Sequence, residues 1–106
     1  MASKAKKSKP YDASEYLDSA EGIAAYVTEA LLTQDLQVIT HAIGVAAKAR
    51  GMTQIAEQTG LSRESLYKAL SSEGNPEFET ILRVLEALGL HLQAEPTNEE
   101  PQRKYA

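Results

Sequence analysis

The segment SRESLYK, Ser62 to Lys68, gathers six polar side chains around one leucine, and Thr53 and Gln54 open a similar short pattern just before it. These residue types suit recognition of a nucleic acid rather than bond breaking. Arg63 can donate two hydrogen bonds to the edge of a guanine, and Glu64 can accept one from a cytosine amino group. Thr53, Gln54 and Ser62 stand at starts of helical patterns, where small polar groups grip phosphate. Tyr67 offers a ring to thymine methyls and a hydroxyl to phosphate. Lys68 contributes charge, and Ser65 reaches outward from the same turn. Plainer readings stand beside these: N-caps for Thr53 and Ser62, a solvated Arg63 or Glu64, and a Tyr67 packed against the third helix.

Other chemistries find little support. The chain has no cysteine, so neither a disulfide framework nor a thiolate metal site is available. His41 and His91 are far apart and lack carboxylates at ligand spacing, and no nucleophile motif surrounds any serine. We therefore expect no metal, no cofactor and no enzyme. No apolar run approaches the roughly 20 residues that cross a bilayer, and the basic start lacks the apolar core of a signal peptide. The expected address is the cytoplasm.

The elements that must hold these residues can be read from periodicity. At 106 residues, 42% of them hydrophobic, the chain fits one domain with one modest core. Residues 1–10 read as a disordered basic arm, 11–95 as the folded domain and 96–106 as a flexible tail. Asp18 with Glu21 suggests a capping box for a helix near 19–33, its stripe formed by Ile23, Ala24, Val27, Ala30 and Leu31. A second helix carries two stripes, Leu36, Ile39, Ile43 and Ala46 beside Val38, Ala42, Val45 and Ala49, which predicts burial on two sides before Gly51 ends it. Thr53 and Ser62 are expected to cap two short helices around Gly60, with Ala56 at their close approach and Ile55, Leu61, Leu66 and Ala69 inward. Asn75 and Pro76 then start a last helix with Phe78, Ile81, Leu82, Leu85 and Leu88 inward and Gly89 as its stop. The alternation in LHLQAE allows a short edge strand. The expected fold is all-α, five helices with that one optional strand.

The formal net charge of −4 is unevenly distributed. Four lysines give residues 1–10 a charge of +4, whereas Asp12, Glu15, Asp18, Glu21, Glu29 and Asp35 give residues 11–40 a charge of −6. Residues 41–75, which contain the polar segment, total +1. Such opposite-sign blocks suggest separate tasks.

The stretch MTQIAEQTGLSRESLYKALSSEGNPEFETILRVLEALGL resembles the Cro/C1-type (lambda repressor-like) helix-turn-helix domain. It is more closely similar to the antitoxin family called addiction module antidote proteins, the HigA-like antitoxins, and YDASEYL and ALGLHL extend that likeness. The resemblance assigns Ala56 to the small helix contact, Gly60 to the turn and Leu66 to the core of the recognition helix. Thr59 departs from the usual apolar residue before the turn glycine. The resemblance also implies a RelE/ParE/HigB-like toxin as partner and links the acidic segment to it; an ordinary solvated helix face is the plainer reading of that segment.

The expected function is that of a DNA-binding antitoxin which neutralises the toxin and represses its own operon. One short helix reads too few base pairs for specific control, so a homodimer on double-stranded operator DNA is expected, with Leu85 to Ala94 as a candidate interface. The lysine arm could follow the DNA backbone or be a solubilising tail. The rivals are a helix-turn-helix regulator without a toxin and a protein-interaction module that has lost DNA affinity. Negative net charge keeps the last in contention.

Overall fold

The computed structural model describes residues 17–71 and 73–97. It contains α1 (Ala20–Thr33), α2 (Leu36–Arg50), α3 (Met52–Thr59), α4 (Arg63–Ala69) and α5 (Phe78–Ala87), and no strand among the described residues. The expected arm at 1–10 and positions 98–106 of the expected tail lie outside them. None of the described helices is long and apolar enough to cross a membrane.

Helix α1 starts one residue later than the capping box required. Ser19, not Asp18, is the N-cap: its backbone is extended and its Oγ accepts from the Gly22 amide at 3.0 Å. Glu21 is thereby left as a first-turn acid, favourable to the helix dipole. Gln34 closes α1 in the left-handed region, and Asp35 caps α2 by accepting from the amides of Gln37 and Val38. The tight link folds α2 back on α1.

Helix α2 is central, packing on α1, α3 and α5. Its buried face is nevertheless narrower than the two expected stripes. Ile43, Ala42 and Ala46 are buried together with Thr40, Gly44 and Ala47, whereas Leu36, Val38 and Ala49 are exposed. Gly44 is required by a close approach, because a Cβ there would stand 2.9 Å from the Leu70 carbonyl oxygen at the end of α4. Gly51 both ends α2 and precedes α3.

Two further expected caps are displaced. Thr53 lies inside the first turn of α3, which starts at Met52 behind Gly51 and has no side-chain cap. Residues Asn75 and Pro76 precede the helix rather than begin it: α5 starts at Phe78 after an extended Glu77. Proline disfavours a helical conformation at the residue before it, and its fixed φ suits an extended lead as well as a first helical position. In α5, Val84, Leu85 and Leu88 are buried, while Phe78 and Leu82 face solvent. Gly89, at φ +84°, stops the helix as expected, and the Leu90 amide bonds back to the Leu85 carbonyl. Beyond it, residues 91–97 run without regular structure. The optional edge strand does not form, since every other described element is a helix and offers no ladder to pair with.

The core gathers Leu17, Ile23, Val27, Ile43, Ala46, Met52, Ile55, Leu66, Val84, Leu85 and Leu88 into one cluster. It lies between α1 and α2 on one side and α3, α4 and α5 on the other.

Candidate functional site

Helices α3 and α4 are joined by Gly60, Leu61 and Ser62 alone. Gly60 has φ +78°, and a Cβ there would meet nothing within 4 Å, so backbone conformation rather than space demands glycine. Thr59 supports the same turn. Its side chain is buried, its hydroxyl donates to the Ala56 carbonyl, and it accepts from the Leu61 amide at 3.3 Å. The departure from an apolar residue thus supplies a local hydrogen bond that an aliphatic side chain would lack. From α5, Arg83 donates to the Thr59 carbonyl at 3.3 Å and pairs with Glu79 at 2.9 Å. The end of α3 is held from both sides.

Ser62 caps α4, with Oγ accepting from the Ser65 amide at 3.0 Å and donating to Ser65 Oγ at 2.9 Å. Ser62 is therefore a cap first. Leu66 is fully buried and anchors the helix, Ile55 faces it from α3, and Leu61 and Ala69 are half-buried. Burial of a leucine-sized side chain contributes roughly 1.5–3 kcal/mol. The opposite face of α4 is open: Arg63, Glu64, Ser65, Tyr67 and Lys68 are all exposed.

These exposed residues divide into two groups. The Arg63 guanidinium lies 5.9 Å from the centroid of the Tyr67 ring, one helical turn away. On the other flank, Ser65 and Lys68 line a shallow depression with Asn75 and Pro76 from the loop before α5. Thr53 and Gln54 are exposed in the first turn of α3.

One member of the site was missed in the sequence. Lys48, near the end of α2, places its ammonium 5.8 Å from the same Tyr67 ring. No local pattern marks it, because the contact spans two intervening helix boundaries. The Tyr67 ring lies beside side chains of α2 and α4 and remains 42% exposed. The resulting patch joins two cations and an aromatic plane on the outside of the molecule. Such a patch can receive an anionic backbone and stack against or bond to an exposed edge.

The wider chain agrees with a family. The sequence model of the family described as "Probable addiction module antidote protein" matches residues 7–96. The chain belongs to that family. An uncharacterized protein of Haemophilus influenzae is 46% identical over 87 residues, which covers 82% of this chain and 90% of that protein. No solved structure matches the chain. Membership in an antidote family implies a toxin as partner. The family match extends over all five helices, so it takes in both the cationic patch on α4 and the acidic α1.

Proposed function

We propose that this chain is the DNA-binding antitoxin of a type II toxin-antitoxin module, one that neutralises a RelE/ParE/HigB-like toxin and represses its own operon as a homodimer. In this reading the α3–α4 pair is a helix-turn-helix and α4 enters the major groove. The observation that carries the DNA-binding half is the exposed patch of Arg63, Tyr67 and Lys48 on a short helix whose other face is anchored by Leu66.

The division of labour follows from chemistry. Arg63 reads a guanine edge, with Glu64 and Gln54 as further donors or acceptors to bases or backbone. Lys48, Lys68 and Thr53 contact phosphate, and Ser62 and Ser65 set the helix start that aims Arg63. Binding, not catalysis, is the activity. Exposed Phe78 and Leu82, one turn apart on α5, add an apolar surface beside the Leu85 to Ala94 segment for pairing of two copies. Pairing doubles the base pairs read.

Two experiments test this reading. In a gel shift with the DNA upstream of its own gene, the protein should give a retarded band that weakens on Arg63→Ala by the about 1–3 kcal/mol of a bidentate contact. Absence of any shift would remove the DNA-binding half and leave a protein-interaction module. Co-expression with the product of the adjacent gene should restore growth and yield a co-purifying complex. A gene neighbour that is harmless and does not co-purify would leave at most a regulator without a toxin.

A further inference from the structure

Between α1 and α2 the surface opens into a groove of about 620 Å³ lined chiefly by apolar atoms of Ala25, Tyr26, Ala30, Val38 and Ala42, with Glu29 and His41 at its rim. Resting on the antitoxin reading above, we infer that this groove is the docking site for the toxin, and that it takes an apolar side chain of a segment flanked by lysine or arginine.

The first support is exposure. Val38, in the groove wall, is 41% exposed, and the apolar lining of the groove is left uncovered. Apolar patches of this kind mark interaction sites when they are contiguous and rimmed by polar groups. The groove also has the shape that accepts an apolar anchor from a helix or extended segment.

Charge then selects the occupant. From Leu17 through Ala47 the chain carries Asp18, Glu21, Glu29 and Asp35 and no lysine or arginine. Glu21, Ala25 and Glu29 follow at four-residue spacing on α1, so the row that supplies the groove wall is acidic at both ends. Asp35, as cap of α2, accepts from the Val38 amide and adds a further carboxylate to the start of that helix. Nucleic acid is repelled from such a rim. A second copy related by two-fold symmetry would bring the same acidic rims together, and like-charge juxtaposition opposes that pairing. A partner presenting cations around an apolar anchor satisfies both the groove and its rim.

Location separates this surface from the DNA patch. The groove is lined by α1 and the first half of α2, whereas the cationic patch joins α4 to Lys48 near the end of α2. The two surfaces share no residue.

The test measures binding of the purified product of the adjacent toxin gene to the full chain and to the variants Ala25→Arg and Val38→Arg, with Gln58→Arg, exposed on α3 and outside the groove, as the control for added charge. The groove variants should weaken binding about tenfold or more while Gln58→Arg stays within about twofold, and operator gel shifts of the groove variants should be unchanged. Equal toxin binding by wild type and both folded groove variants would overturn the groove assignment and leave the antitoxin reading standing. Failure of the wild type to bind that product would overturn the antitoxin reading itself, and the groove assignment with it. Should either variant lose its cooperative melt, a photo-crosslinker at Val38 decides: a crosslink to the bound toxin supports the site, and its absence in a formed complex overturns it.

Discussion

Lys48 and Arg63 stand over the same aromatic ring, that of Tyr67, at 5.8 and 5.9 Å from its centroid. The two cations come from α2 and α4, so the ring ties the exposed face of α4 to the central helix. An aromatic quadrupole attracts each cation by about 0.5–1 kcal/mol at an exposed site, which offsets part of their mutual repulsion. DNA phosphate would complete the neutralisation.

If the ring's task is to position the cations, the hydroxyl matters little and the aromatic plane matters much. Tyr67→Phe should keep operator affinity within about twofold, whereas Tyr67→Leu should lower it about tenfold, measured by fluorescence anisotropy. A Phe variant as weak as the Leu variant would assign the contribution to the hydroxyl instead.

Lys48 and Arg63 should separate by the kind of contact they make. Lys48→Gln should weaken binding to all duplexes alike and reduce the slope of log affinity against log salt by about one, as loss of one phosphate contact does. Arg63→Ala should instead relax discrimination at one base pair, at a cost of about 1–3 kcal/mol on the preferred sequence. Competition with single-base operator variants distinguishes the two behaviours.

Stability should respond to the two glycines for different reasons. Gly44→Ala drives a Cβ to within 2.9 Å of the Leu70 carbonyl and should cost about 1–3 kcal/mol through displacement of the end of α4. Gly60→Ala meets open space, and its cost of about 1–2 kcal/mol arises only from φ +78°. Urea denaturation gives both values. In the Gly44 variant, loss of DNA affinity should accompany loss of stability, because α4 is the element that moves.

The buried hydroxyl of Thr40 finds no hydrogen-bond partner among the described residues. Thr40→Val keeps the shape and removes the unpaired polar group, so it should raise stability by about 1 kcal/mol. An unchanged or lowered melting midpoint would mean that the hydroxyl is satisfied in solution.

The features legible in the sequence were those whose causes are local. Ser62 as cap, Gly60 as a left-handed turn and Gly89 as a stop each depend on hydrogen bonds or dihedral angles within a few residues, and Leu66 follows from helical spacing. Where two cap-competent residues adjoin, as Asp18 and Ser19 do, spacing alone left the register one residue uncertain. Asn75–Pro76 misled because the same dipeptide suits an extended lead and a helix start. Facing was harder still: Leu36, Val38, Phe78 and Leu82 fit apolar stripes yet lie outside the core, since packing partners decide which side of a wide stripe is covered. Lys48 was invisible as a site residue because only the tertiary fold brings α2 to Tyr67. The acidic run was legible as a run, but the groove that it borders needed the α1–α2 packing.

The most direct measurement is a salt titration of binding between the protein and the duplex upstream of its own gene, followed by anisotropy. Two copies per duplex should bind with affinity that falls by about 10³-fold or more between roughly 50 and 200 mM salt, as several phosphate contacts from paired α4 patches require. Binding that is absent, or indifferent to salt and to Arg63→Ala, would contradict the assignment of α4 as a DNA-reading helix.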